Sequence, residues 1–561
     1  MLRITNGTVY DPKNGINGEV RDICIAGGKV VAAADALDAP VLDARDLVVM
    51  PGGVEFHAHI AGSKVNAARK MCPEDHRGMP IRRTELTRSG TGHTIPSTFV
   101  TGYHFTQLGY TTVIEAAAPP LTARHVHEEL QDTPIVDKGF LVLMGNNYFV
   151  LKYIAQGDFA RLKDYVAWLL NVTGGFGIKI VNPAGVDTWK WGRNVHSLDD
   201  QADTFPVTPR QILLNLARVQ QELGVPHPIH VHCNNLGSPG NIETTLESIR
   251  AVEGLPIHIT HAQFNGYGGT SWADISSGAP QLAAYVNEHP NVTVDMGQVV
   301  FGPVTTMTAD GPWQYHLFQL SGHKWANSDV EMESGSGVVP YRFVRRNAVN
   351  AVQWAIGLEL ALLIDDPWRV FLTTDHPNAG PFHAYPDIIR LLMDHDYRMS
   401  KLEGVHSAAR TRSGLKDLTR EYTLPEIVTI TRAGPARRLG LPNKGHLGIG
   451  ADADVTIYRR LADCADAGEM FARPRYTIKG GEIVAENGRI VRVQPGTLLY
   501  VSPEYDPQIQ EAICDDFEQY YTVDFANYPV DFDAYLPLRA SVPCFLDIAT
   551  RNPVMEPAHG H

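Results

Sequence analysis

Residues 52–60 read Gly-Gly-Val-Glu-Phe-His-Ala-His-Ile. Two glycines open the run, apolar and branched residues fill it, and two histidines stand near its end, which is the pattern of a buried strand whose last residues carry chemistry. In an extended chain residues i and i+2 face the same way, so His57 and His59 share one side of the strand and can reach one metal ion. Alone, such a pair is a weak signal, and its surroundings decide what it means.

Working outward, seven more runs of the same kind follow: GYTTVIEAA, GFLVLMG, FGIKIVN, PIHVHCNN, PIHITHAQ, NVTVDMGQVVF and WRVFLTTDH. Helical patterns separate them, as in parallel βα units. Eight units predict an α/β fold, a TIM (β/α)8 barrel over residues 51–438, longer than the ~250 residues of a plain barrel. The excess falls in loops 60–107 and 302–367. Residues 1–50 and 439–500 both carry short alternating runs broken by Gly and Asn, which predicts one small β-domain built from two distant segments. Residues 501–561 are rich in acids and aromatics and hold only Arg539 and Arg551 as basic residues. This acidic extension is expected either to pack on its own barrel or to form a subunit interface.

Composition narrows the function. With 44% hydrophobic and 20% charged residues the chain is globular. A net charge of −14 argues against general binding to nucleic acid or an anionic membrane. No Walker A motif occurs, and the six cysteines are too widely spaced for CxxC zinc or redox motifs. The opening residues lack the pattern of a signal peptide, and no apolar stretch is long enough to span a bilayer, so a cytoplasmic location is expected.

Beyond His57 and His59, candidate groups stand near the ends of four other strands: Lys179, His232, His261 and Asp375, where barrel enzymes place their chemistry. This order resembles the amidohydrolase superfamily with a binuclear metal centre, and the split β-domain belongs to the same resemblance. Imidazole and carboxylate suit zinc. An ammonium binds no metal, so Lys179 makes sense as a desolvated amine that has taken up CO2, its N6-carboxylate bridging two divalent ions. His232 is preferred to His230 and His261 to His258 because they lie nearer the strand ends. His230 and His258 are then supporting or core histidines, and His376 is expected to point away.

A closer resemblance lies in FHAHIAGSKVN through MCPEDHR (from Phe56 and Met71), Gly145-Asn-Asn, KIVNPAG (from Lys179), HCNNLG (from His232), ESGSGVVP (from Glu333) and TDHPNAGPF (from Thr374). Together these are similar to the A subunits of formylmethanofuran-processing enzymes, over nearly the whole barrel. Two branches fit: bacterial formyltransferase/hydrolase complexes and archaeal tungsten or molybdenum formylmethanofuran dehydrogenases. An Ala- and Arg-rich, lysine-poor composition tilts toward the bacterial one.

The resemblance implies hydrolysis of an N-formyl amide to formate and a free amine. Asp375 would take the water's proton and return it to the leaving nitrogen, and the partners would be the other subunits of the complex. Methanofuran-type carriers bear glutamates, which the basic loop with Lys64, Arg69, Lys70, Arg77, Arg82, Arg83 and Arg88 could hold. Within it Arg69, Lys70, Arg82 and Arg83 are the expected contacts, with Asn146, Asn147 and Asn234 orienting the amide. The competing readings are a cyclic amidohydrolase of the dihydropyrimidinase or hydantoinase type and, from another class, a non-catalytic scaffold on the same fold.

Overall fold

A computed structural model describes residues 1–329, 335–535 and 539–545. All eight predicted strands form: β1 Gly53–Ala58, β2 Tyr110–Ala118, β3 Asp137–Leu143, β4 Gly177–Val181, β5 Ile229–His232, β6 Ile257–Ile259, β7 Val292–Asp295 and β8 Val370–Phe371. Each pairs in parallel with the next, through register partners such as Val142↔Ile178, His230↔Lys179, His230↔His258 and Val294↔Val370. The ring closes where Ala58 bridges His376 and the His59 amide donates to the His376 carbonyl at 2.6 Å. Every residue of β1 to β7 is buried, because helices cover the outside and side chains fill the inside.

The β-domain is one nine-stranded sheet drawn from both segments. Leu47–Pro51 runs antiparallel to Val455–Arg459, with Pro51 opposite Val455, and leads straight into β1. A buried ionic cluster fastens the sheet to the barrel floor. Lys444 Nζ donates to Asp137, Asp452 and Asp454 at 2.5, 2.8 and 3.0 Å, and Lys479 also bonds Asp137, at the start of β3.

Residues Leu498–Tyr500, expected from the sequence to belong to the β-domain, extend the barrel sheet instead, with Leu498 beside Lys138 of β3. After them, helix Gln508–Tyr520 lies on helix Phe159–Thr173, burying Ile509, Ile513 and Phe517, and Trp168 stacks on Phe525 and Tyr528. The aromatics of the acidic extension thus cover apolar surface of its own barrel. Residues 546–561, part of the same predicted extension, lie outside the described residues.

Both long loops are structured. Residues 60–107 carry helices Ser63–Met71 and Thr98–Gln107. The segment before β8 folds strands Gly302–Thr308, Ala326–Asp329 and Gly335–Phe343 into an antiparallel sheet at the barrel mouth. Glu333 and Ser334 of the ESGSGVVP motif fall outside the described residues.

Candidate metal centre

The HxH strand delivers both imidazoles to the ring's open end. His57 Nε2 lies 3.0 Å and His59 Nε2 3.3 Å from Asp375 Oδ1, so the first and eighth strands meet over one point. Lys179, His232 and His261 complete the set, and all six expected groups line a single cavity of about 260 Å3. Its walls are aromatic and apolar, with Phe264, Trp272, Trp313, Tyr341 and Phe343. The backbone bends sharply at two of the six positions. His261 (φ 34°) and Asp375 (φ 47°) are left-handed, a strained conformation that turns each side chain inward as its strand ends.

Three buried atoms of the site, His57 Nε2, His261 Nδ1 and Asp375 Oδ1, have no hydrogen-bond partner among the described residues. Buried polar atoms are almost always satisfied. A convergent set of orphaned nitrogen and oxygen lone pairs fits a divalent cation, and the ligand atoms of His57, His59 and Asp375 all lie within 4.8 Å of one another. Burial holds the Lys179 amine down to about 7, the condition for a neutral nucleophile that can take up CO2. Its amine donates to Thr260 Oγ1 at 3.5 Å, and that hydroxyl also meets His261 Nε2 at 2.8 Å.

The candidate ligands are held from behind. Glu115 on β2 accepts from His59 Nδ1 at 3.1 Å and from the amides of Ile60 and Ala61 at 2.6 and 2.9 Å. Asn378 donates to Asp375 Oδ2 at 2.9 Å, leaving Oδ1 free. His232 Nε2 meets Asp310 at 3.0 Å, and Asp295 on β7 accepts from the His261 amide at 2.9 Å and from His258 at 3.0 Å.

His57 ends a row of rings. Its Nδ1 meets His230 Nε2 at 2.9 Å, His230 Nδ1 meets His227 Nε2 at 2.9 Å, and His227 Nδ1 meets the Arg438 carbonyl at 3.1 Å. A carbonyl only accepts, so the protons are assigned to all three Nδ1 atoms, and His57 Nε2 is left with its lone pair facing the cavity. Burial pushes His227 and His230 well below the ordinary histidine range and keeps the row neutral.

His230 therefore bonds a candidate ligand directly, and His258 bonds Asp295 behind another. The His376 ring packs on Phe105 and Phe382, away from the cluster. The expected substrate contacts sit elsewhere. Asn146 donates to the Val181 carbonyl, Asn147 caps helix Tyr148–Gln156, and Asn234 donates to Asn182 and Pro183. Arg69 is paired with Glu129, while Lys70, Arg82 and Arg83 are exposed. None of these seven lines the cavity; the amides that do are Gln314, Asn347, Asn350, Gln353 and Asn378.

A cluster of candidate metal ligands at the C-terminal end of a closed parallel barrel, with a β-domain drawn from both flanks, defines the class. The chain belongs to the amidohydrolase family, whose model matches residues 40–485. It is 49% identical over 547 residues to protein FwdA of Methanocaldococcus jannaschii, covering 94% of this chain and 96% of that one. It is also 39% identical to the A subunit of the formyltransferase/hydrolase complex Fhc of Methylorubrum extorquens, over 91% and 93% of the two chains. Of these two the Methanocaldococcus chain is the more similar, the reverse of the compositional tilt. The fold matches a chain in the crystal structure of the formyltransferase/hydrolase complex FhcABCD from Methylorubrum extorquens with methylofuran. There the TM-score is 0.92 at 37% identity, covering 97% of this chain and 100% of that one.

Proposed function

We propose that this protein hydrolyses the N-formyl amide of a methanofuran-type carrier to formate and the free amine, as the metal-dependent component of a formyltransferase/hydrolase assembly. The observation that carries the reading is the meeting of His57, His59, Lys179, His232, His261 and Asp375 in one aromatic-walled cavity. These six residues, Lys179 as its N6-carboxylate, would hold two divalent ions, zinc by the donor set, which would supply an acidified water and polarise the formyl oxygen.

The chain's own residues do the rest. Asp375 Oδ1 accepts the water's proton as its oxygen bonds the formyl carbon, then returns it to nitrogen as the C–N bond breaks. Asn378 fixes the other carboxylate oxygen so that this one faces the reacting atoms. Trp272, Trp313 and Phe264 suit a flat furan or phenol ring, with apolar contact rather than charge beside the amide. Exposed Lys70, Arg82 and Arg83 would meet the carrier's glutamates, with Arg69 engaged by Glu129.

Similarity to the Fhc complex's A subunit over most of both chains supports this reading over ring opening of hydantoins, and presence of every expected ligand opposes a non-catalytic scaffold. The deciding assay measures formate released from N-formylmethanofuran or formylated furfurylamine against ring opening of hydantoin, with metal content determined on the same sample. Hydantoin opening without formate release would reverse the assignment.

A further inference from the structure

Helix Gly311–Ser321 brings Trp313, Gln314, Leu317 and Leu320 to the cavity wall, one polar residue among apolar ones. Its N-cap, Asp310, meets the candidate ligand His232 at 3.0 Å, and the Gln314 backbone amide donates to the Asp310 carbonyl at 3.1 Å. Helical side chains tilt toward the N-terminus, so Gln314, one turn on, leans back toward Asp310 and His232. Gly337 of strand Gly335–Phe343 makes the room: a Cβ there would lie 2.3 Å from Gln314 Cβ. This gives the second glycine of the ESGSGVVP motif a use.

Of the amides that line the cavity, the others are committed. Asn378 holds Asp375, Asn347 caps helix Ala348–Leu363, and Asn350 and Gln353 bond each other and the hydroxyls of Tyr341 and Tyr267. Gln314 is 1% exposed, and its side-chain amide meets only Thr306 Oγ1, at 3.4 Å, among the described residues. That hydroxyl gives its single proton to the Val339 carbonyl at 2.7 Å, so toward Gln314 it can only accept. The amide is therefore assigned with its NH2 on Thr306 and its carbonyl oxygen toward the cavity. A buried acceptor left without a donor costs stability, and a ligand N–H would satisfy this one.

We infer that Gln314 accepts the N–H of the substrate amide and makes the site selective for secondary formamides. The inference rests on the proposed hydrolysis and deepens it. A secondary formamide has one donor, its N–H, while its oxygen is the group the metals would polarise. With that N–H held by the Gln314 carbonyl oxygen, the nitrogen takes its second proton from Asp375 as the C–N bond breaks. An amide with a methyl group in place of the hydrogen leaves the glutamine oxygen unpaired and is rejected.

The test compares metal-loaded full-length wild type with Gln314→Met on two substrates, N-formylfurfurylamine and its N-methyl derivative. Formate release gives kcat/KM, and calorimetry gives the affinity for each amide. Wild type should prefer the N–H amide by at least about tenfold, and the Met variant should lose about that factor on it while changing less than about threefold on the N-methyl amide. The preference then collapses at unchanged metal content, which a merely structural role would not produce. A variant that keeps the preference overturns the inference, as does a wild type that treats both amides alike. Gln314→Leu carries the same comparison if the Met variant does not fold. A wild type that cleaves neither amide, yet binds the N–H form more tightly in a way the variant loses, fails the hydrolysis reading alone.

Discussion

His57 Nδ1 and His230 Nε2 are 2.9 Å apart at the head of a row of neutral rings that ends on the Arg438 carbonyl. The contact fixes which nitrogen of His57 faces the cavity. His230→Leu should therefore fold, yet bind metal roughly 10–100-fold more weakly, the usual loss when a ligand's supporting partner is removed. Competition titration against a zinc chelator reads this directly, and wild-type affinity would show that the row is only packing.

Lys179→Ala should lose metal and turnover together, with partial rescue by short-chain carboxylic acids that occupy the gap. Elemental analysis with and without acetate measures it. Wild-type metal content in the unrescued variant would refute a bridging role.

Asp375→Asn retains an oxygen toward the metals but cannot carry a proton. It should keep much of its metal and lose ~10²–10⁴ in turnover, about 2.7–5.4 kcal/mol of barrier. Formate release within threefold of wild type would transfer the proton to another group.

Glu55, fully buried below the ligands, accepts from the His57 amide at 3.0 Å and meets the Tyr385 hydroxyl at 2.5 Å. Burial pushes its carboxyl up to about 8. A raised carboxyl holds its proton in the folded state, so its contribution is full below the unfolded value and lost as pH rises. The slope is about 1.4 kcal/mol per unit across the window from roughly 4.5 to 8. Glu55→Gln should flatten that part of the stability-versus-pH curve, measured by denaturant titration at several pH values, and gain most relative to wild type at pH 8.

Phe517 is buried in the extension's helix, stacked on Tyr521 and edge-on to Phe525 and Tyr528. Phe517→Ala should destabilise the isolated chain by about 3–5 kcal/mol. A negligible change in the chemical denaturation midpoint would mean that this surface is stabilised only by partner subunits.

The eight strands were legible because strands buried on both faces read as unbroken apolar runs, and because polar residues at their ends mark the open side of a barrel. Glu115 and Asp295 were missed although the signal was present: each is a lone acid inside an otherwise apolar strand. Periodicity tells which face a histidine occupies but not which ring nitrogen meets what, so the row through His230 and His227 needed coordinates. The Asn-Asn motifs have a structural use that the sequence does not show. An asparagine at a strand end is as useful for satisfying loose backbone as for gripping a substrate, and Asn147 and Asn234 do the former. The sheet over the barrel mouth was hidden in a segment whose strands pair only with one another.

The ring of strands is stitched unevenly. Between β1 and β8 the described residues show a single bridge, Ala58 to His376, where neighbouring strands share ladders. His57 and His59 stand on one side of that seam and Asp375 on the other, so an ion bound by all three would cross-link residue 57 to residue 375 and latch the barrel shut. The metal-free chain would then be loosest at that seam, between the first and last strands of the ring. Amide exchange at His59 should accordingly slow on metal loading far more than exchange within β4 to β6.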